Sequence, residues 1–152
     1  MHILRWTSVW LGLCAATTIV DTPKAAAGVI LITTEEARLP APTKMAPSRA
    51  ITRGPRIEVS DLDEGRLHSP LHFKLRFRAF GGSTIDLGTL AVTYLRSSNV
   101  DLTRRVRPFA QPTGIDIPDA EVPPGEHAIQ VELKDSEGRA TTMNFVLAVA
   151  PN

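Results

Sequence analysis

From Arg56 onward, apolar and polar residues alternate with a period of two, the pattern of strands with one face buried and the other wet. Leu71 to Phe80 shows it most clearly. Leu71, Phe73, Leu75, Phe77 and Ala79 share one face, and His72, Lys74, Arg76 and Arg78 the other. Ile57 and Val59 alternate with Arg56, Glu58 and Ser60, while Leu90, Val92 and Tyr94 alternate with Ala91, Thr93 and Leu95. Ile115 and Ile117 flank Asp116; Ile129, Val131 and Leu133 follow, and Met143, Phe145, Leu147 and Val149 close the pattern. A helix cannot keep that register, so residues 56–152 are predicted to form one all-β domain. The breaks carry turn chemistry. Pro123-Pro124-Gly125-Glu126 fits a type II turn, and Asp135-Ser136-Glu137-Gly138 fits a type I turn with a bulge glycine, closing a hairpin. Short strands at this spacing predict an antiparallel sandwich or barrel of about seven strands.

Residues 28–55 do not alternate. Val29-Ile30-Leu31-Ile32 is a short apolar run, followed by Thr33-Thr34-Glu35-Glu36, a capping box with Thr33 as N-cap. Pro40, Pro42, Pro47 and Pro55 punctuate the remainder, which offers few bulky apolar residues. Such a stretch has no core to bury and reads as an extended, partly disordered Pro-rich linker.

Residues 1–27 read as a signal peptide. Arg5 charges a short leading region, Trp6 to Val20 is an uncharged apolar stretch of 15 residues, and Ala25-Ala26-Ala27 supplies a small-residue cleavage site. The stretch is short of the ~20 apolar residues that a span requires, so no stable membrane span is expected after cleavage. Cys14 follows Leu13 rather than a small residue, which argues against lipidation. The mature chain is therefore expected in the periplasm or outside the cell.

Cleavage changes the chemistry that remains. Trp6, Trp10 and the single cysteine leave with the signal, so neither a disulfide nor a thiol nucleophile is available. Arg5, Lys24 and Asp21 leave too, and 17 basic and 16 acidic residues become fifteen of each. A neutral chain has no global attraction to nucleic acid or anionic lipid.

Glu121 to His127, the alternating strand after it, and Lys134-Asp135-Ser136-Glu137-Gly138-Arg139 before the final strand resemble bacterial immunoglobulin-like domains. Ile85 to Val92 is similar to their third-strand start, and the resemblance covers roughly residues 56–151. It implies a single immunoglobulin-like antiparallel β-sandwich and is silent on function, since that fold hosts many roles. The chain lacks the cysteine pair and third-strand tryptophan of antibody domains, and His127 sits near the place of their corner tyrosine.

Three groups of residues are candidates for binding. Lys74, Arg76 and Arg78 form a basic row along the outer side of one strand, suited to an anionic partner. In the strand order of an immunoglobulin-like sandwich, Glu58 and Asp116 would lie across from that row and offset it. Arg104, Arg105 and Arg107 form a second basic group in an expected loop near Asp101. Val29, Ile30, Leu31 and Ile32 would serve as a tethered donor strand or docking peptide, or else pack on their own domain. Asp61, Asp63 and His68 are weak metal candidates: the acids echo the opening of a calcium loop but its other ligands are missing. His68 and His72 would lie about 13 Å apart on a strand, too far for one ion. No cofactor motif, nucleophile elbow, phosphate-cradling loop or metalloprotease motif occurs, and an enzyme is not expected. The expected function is a non-catalytic exported module that binds another envelope protein. The alternative is a periplasmic carrier of a small ligand or metal ion, using the loop around Asp61, Asp63 and His68.

Overall fold

A computed structural model describes residues 28–42, 49–50, 54–60 and 67–151. The signal segment, most of the Pro-rich stretch, and Asp61 and Asp63 lie outside the described residues. The chain is all-β, with two sheets packed as a sandwich. Its elements are β1 (Val29–Ile30), α1 (Thr34–Ala37), β2 (Arg49–Ala50), β3 (Arg56–Ser60), β4 (Leu71–Arg78), β5 (Ile85–Tyr94) and β6 (Val100–Asp101). Then come α2 (Thr103–Val106), a 3₁₀ turn (Arg107–Phe109), β7 (Ala110–Gln111), β8 (Gly114–Glu121), β9 (Gly125–Asp135) and β10 (Ala140–Val149).

The first sheet runs β1-β8-β4-β3, with β7 also paired to β8; the second runs β2-β10-β9-β5-β6. Among the described strands every pairing is antiparallel except that of β1 with β8, and an isolated bridge between Leu67 and Val149 is also parallel. The alternation in the sequence explains the layering. Phe73, Leu75, Ile115 and Ile117 point inward from the first sheet, and Val92, Tyr94, Ile129, Val131, Leu133 and Leu147 from the second, all buried. Each such aliphatic or aromatic side chain stabilises the fold by about 1.5–3 kcal/mol on burial.

The β9–β10 hairpin closes as its sequence predicts. The Gly138 N–H donates to the Asp135 carbonyl at 2.9 Å, and Gly138 takes a φ of +76° that suits glycine. The Asp135 carboxylate is buried beneath this turn, accepting from Ser83, Arg139 and the backbone N–H groups of Glu137 and Arg139. Burial alone would raise its pKa; the Arg139 guanidinium and the backbone donors outweigh that and hold it below the usual carboxylate range.

The described residues at the start of the chain, 28–40, pack onto the sandwich. Leu31 and Ile32 are buried in the core, and both their N–H groups donate to the Glu121 carbonyl. The capping box of α1 is formed in both directions between Thr33 and Glu36. Glu36 also takes a two-pronged ion pair from Arg105 at 2.7 and 2.8 Å, and Arg105 donates to the Leu31 carbonyl as well. Hydrogen bonding to Arg105 lowers the Glu36 pKa to about 2. Further along, the Ser97 N–H donates to the Pro40 carbonyl.

Candidate functional site

The outer face of the first sheet carries the most concentrated charge that the strands themselves position. β4 runs in the middle, so its outward residues have neighbours on both sides. Across from it, β3 places Arg56 opposite Arg78, Glu58 opposite Arg76 and Ser60 opposite Lys74. On the other side, β8 places Asp116 opposite Lys74 and Gly114 opposite Arg76. The two acids are therefore where the sequence puts them, but they do not serve the row evenly.

At one end the charges are matched. Asp116 accepts from the His72 Nε2 at 2.6 Å and pairs with the Lys74 ammonium at 3.4 Å. The His72 hydrogen bond, then Lys74, keep the Asp116 carboxyl below its ordinary pKa. At the other end they are not. Glu58 leans to Arg56 at 4.0 Å, the Arg56 guanidinium lies over the Phe80 ring, and Arg76 and Arg78 have no acid partner among the described residues. Like charges directly opposite each other across strands are destabilising, and Arg56 and Arg78 are such a pair.

Between β4 and β7 the sheet surface dips into an open groove of about 400 Å³, with Lys74, Arg76, Phe109, Gln111, Thr113 and Asp116 along its sides. Register explains the groove. Gly114 pairs with Arg76 on one flank and with Gln111 on the other, so a row of three side chains lacks its middle member. Gly114 has a φ of +151°, and a Cβ there would run into the Leu75 carbonyl oxygen. The glycine is thus dictated by the close approach of β8 to β4, and the gap follows from it.

The other candidates are placed as follows. Val29 and Ile30 form β1 at the edge of the first sheet, Ile30 is 53 % exposed, and Leu31 and Ile32 belong to the core. A second groove of about 550 Å³ lies there, between α1, Ser69-Pro70 and Glu121–Pro123. His68 is exposed, and no group of three or more metal-ligating side chains occurs among the described residues. Of the second basic group, Arg105 is taken by Glu36, while Arg104 and Arg107 are exposed on and after α2. No helix among the described residues is long and apolar enough to cross a membrane.

One polar cluster escapes sequence reasoning. His127 is buried, and its Nε2 bonds the Pro123 carbonyl at 2.7 Å. A carbonyl only accepts, so Nε2 carries the proton and, in the neutral ring, Nδ1 accepts from the Tyr94 hydroxyl at 2.9 Å. The Arg96 Nε donates to the same hydroxyl oxygen, and its guanidinium stacks on the Tyr94 ring. Burial lowers the His127 pKa; donation to Pro123 opposes this, and the Arg96 charge reinforces it. The chain of bonds, which Arg96 extends to the Glu126 carbonyl, ties β5, β9 and the β8–β9 turn together. No local signal links Tyr94 to a histidine 33 residues away.

No protein-family model matches the chain, nor does any curated protein or any solved structure.

Proposed function

We propose that the chain is a non-catalytic, immunoglobulin-like interaction module, exported to the periplasm or beyond, that docks another envelope protein through the basic face of its first sheet. The unmatched arginines carry this reading. Arg76 and Arg78 stand with Arg56 on one exposed surface where, among the described residues, the one near acid is Glu58, which leans to Arg56, at a cost to the sheet. A purely structural face would dispense with that cost. Rigid strands also present the charges without the ordering penalty of a loop.

Two features support the immunoglobulin-like assignment. The orders β3-β4-β8 and β6-β5-β9-β10 are those of the A-B-E and C′-C-F-G strands of such sandwiches. His127, near the start of β9, bonds the backbone four residues upstream, as the corner tyrosine of that fold does.

Photo-crosslinking in the producing cell tests the docking face. A benzophenone side chain at position 78 is expected to capture one dominant envelope protein. The same group at position 132, exposed on the second sheet, is not. Equal, diffuse labelling from both positions would remove the proposal.

A further inference from the structure

We infer that the gap over Gly114 is a carboxylate-binding subsite, which takes a glutamate or aspartate side chain from an acidic segment of the docked partner. The inference rests on the docking face proposed above and names the chemistry that it reads. Arg76 and Gln111 flank the gap in one register row, about 10 Å apart at two strand spacings, with Gly114 between them. That distance leaves room for one planar group. A guanidinium matches a carboxylate with two parallel N–H donors, and the Gln111 amide can donate from the opposite wall.

Charge selects the ligand. Lys74 and Arg76 bring two positive charges into the groove, and Asp116 brings one negative charge that is already engaged by His72 and Lys74. Among the described residues, Arg76 is thus the groove's unspent cation. Phe109, half-buried at the groove wall, offers an apolar surface for the methylene stem of a glutamate. The Thr113 hydroxyl adds a further donor at the rim. The gap is fixed, because no residue other than glycine fits its floor.

The test is a nitrogen-15 NMR titration of the full chain with the capped peptide Ala-Glu-Ala-Glu-Ala, its glutamine counterpart, and phenyl phosphate. The glutamate peptide is expected to shift the Gly114 amide and the Gln111 side-chain amide. The glutamine peptide should bind about tenfold more weakly, the step expected when a charge-assisted pair is lost. Arg76→Gln should weaken the glutamate peptide by a similar factor, and Arg78→Gln by much less. Shifts spread over the whole basic face with Gly114 unmoved would overturn the subsite. So would equal binding of the glutamine peptide, or tighter binding of phenyl phosphate at Gly114, which would make it a phosphate site. If Gly114 stays unmoved while position 78 still crosslinks one partner, the subsite falls and the docking face stands. If the peptide binds at Gly114 while no partner is captured, the docking face falls and the carboxylate subsite stands.

Discussion

Arg105 and Arg76 carry the same guanidinium on the same small domain, and the fold uses them in opposite ways. Arg105 is pulled down against α1, where both its prongs meet Glu36 and a third bond reaches the Leu31 carbonyl. Arg76 stands exposed on the sheet beside a glycine, with its opposite acid leaning to Arg56. The first is a clamp that stabilises β1 and α1 on the domain. The second is a charge kept available. The contrast teaches that a basic residue count says little; what matters is whether the register supplies an acid at the right place.

Changes to the two regions should separate these roles. The largest effect is expected from Gly114→Ala, which sets a methyl group against the Leu75 carbonyl at a positive φ. It should cost about 3 kcal/mol or more and be read directly as a fall in the thermal midpoint. An unchanged midpoint would show that β8 can move away from β4 and that the gap is not fixed.

Next comes the clamp. Glu36→Gln is expected to lower stability by about 2 kcal/mol, because Arg105 loses its charged partner in a half-buried setting. The pH dependence has a definite sign. Glu36 titrates at about 2 in the fold against an ordinary 4.5. The unfolded chain therefore takes up the proton first, and this contribution is complete above 4.5 and lost as the pH falls toward 2. Denaturant melts of the wild type and Glu36→Gln should converge at the acid end of that range. Parallel curves would assign the acid sensitivity to another group.

A smaller loss, about 1–2 kcal/mol, is expected for Tyr94→Phe, which leaves His127 Nδ1 and Arg96 Nε without their shared hydroxyl. His127 is held neutral by burial, below its ordinary pKa of 6.5. The unfolded chain binds the proton more readily, so stability is full above 6.5 and declines as the pH falls below it. His127→Gln should flatten that part of the profile; retention of the slope would implicate one of the surface histidines.

The smallest effect belongs to the basic face. Arg78→Gln removes one member of the pair with Arg56 and should leave stability within about 0.5 kcal/mol, or raise it slightly. A marked loss of stability would mean that Arg78 is structural after all, and would bring it closer to Arg105 than to Arg76.

Much of this architecture is written locally. The alternation of β4 assigns Phe73 and Leu75 to the core and Lys74 and Arg76 to solvent, as found. The Asp135–Gly138 hairpin and the Thr33–Glu36 capping box were also legible, because each depends on residues within a few positions of one another. The rest depends on partners far along the chain. Four apolar residues at Val29–Ile32 have no periodicity long enough to reveal a face, and their partner Glu121 lies some ninety residues on. Glu36 and Arg105 are 69 residues apart, so the arginine reads as one of three surface charges until the fold brings them together. α2 is a single turn of helix, too short for a repeating pattern, and its buried Val106 is invisible as such. The gap over Gly114 needs two pairings known at once, one to β4 and one to β7, and neither leaves a local trace.

The outer margin of β8 bears on how this chain behaves among many copies of itself. β7 meets it at Gly114 and Ile115, and β1 at Ala120 and Glu121. Between them lie Asp116, Ile117, Pro118 and Asp119, of which Pro118 has no N–H to offer and the two aspartates carry charge. A second chain laid along that margin would find it too short, too charged and lacking a donor to extend the ladder. Strand addition along this margin therefore stalls at β8.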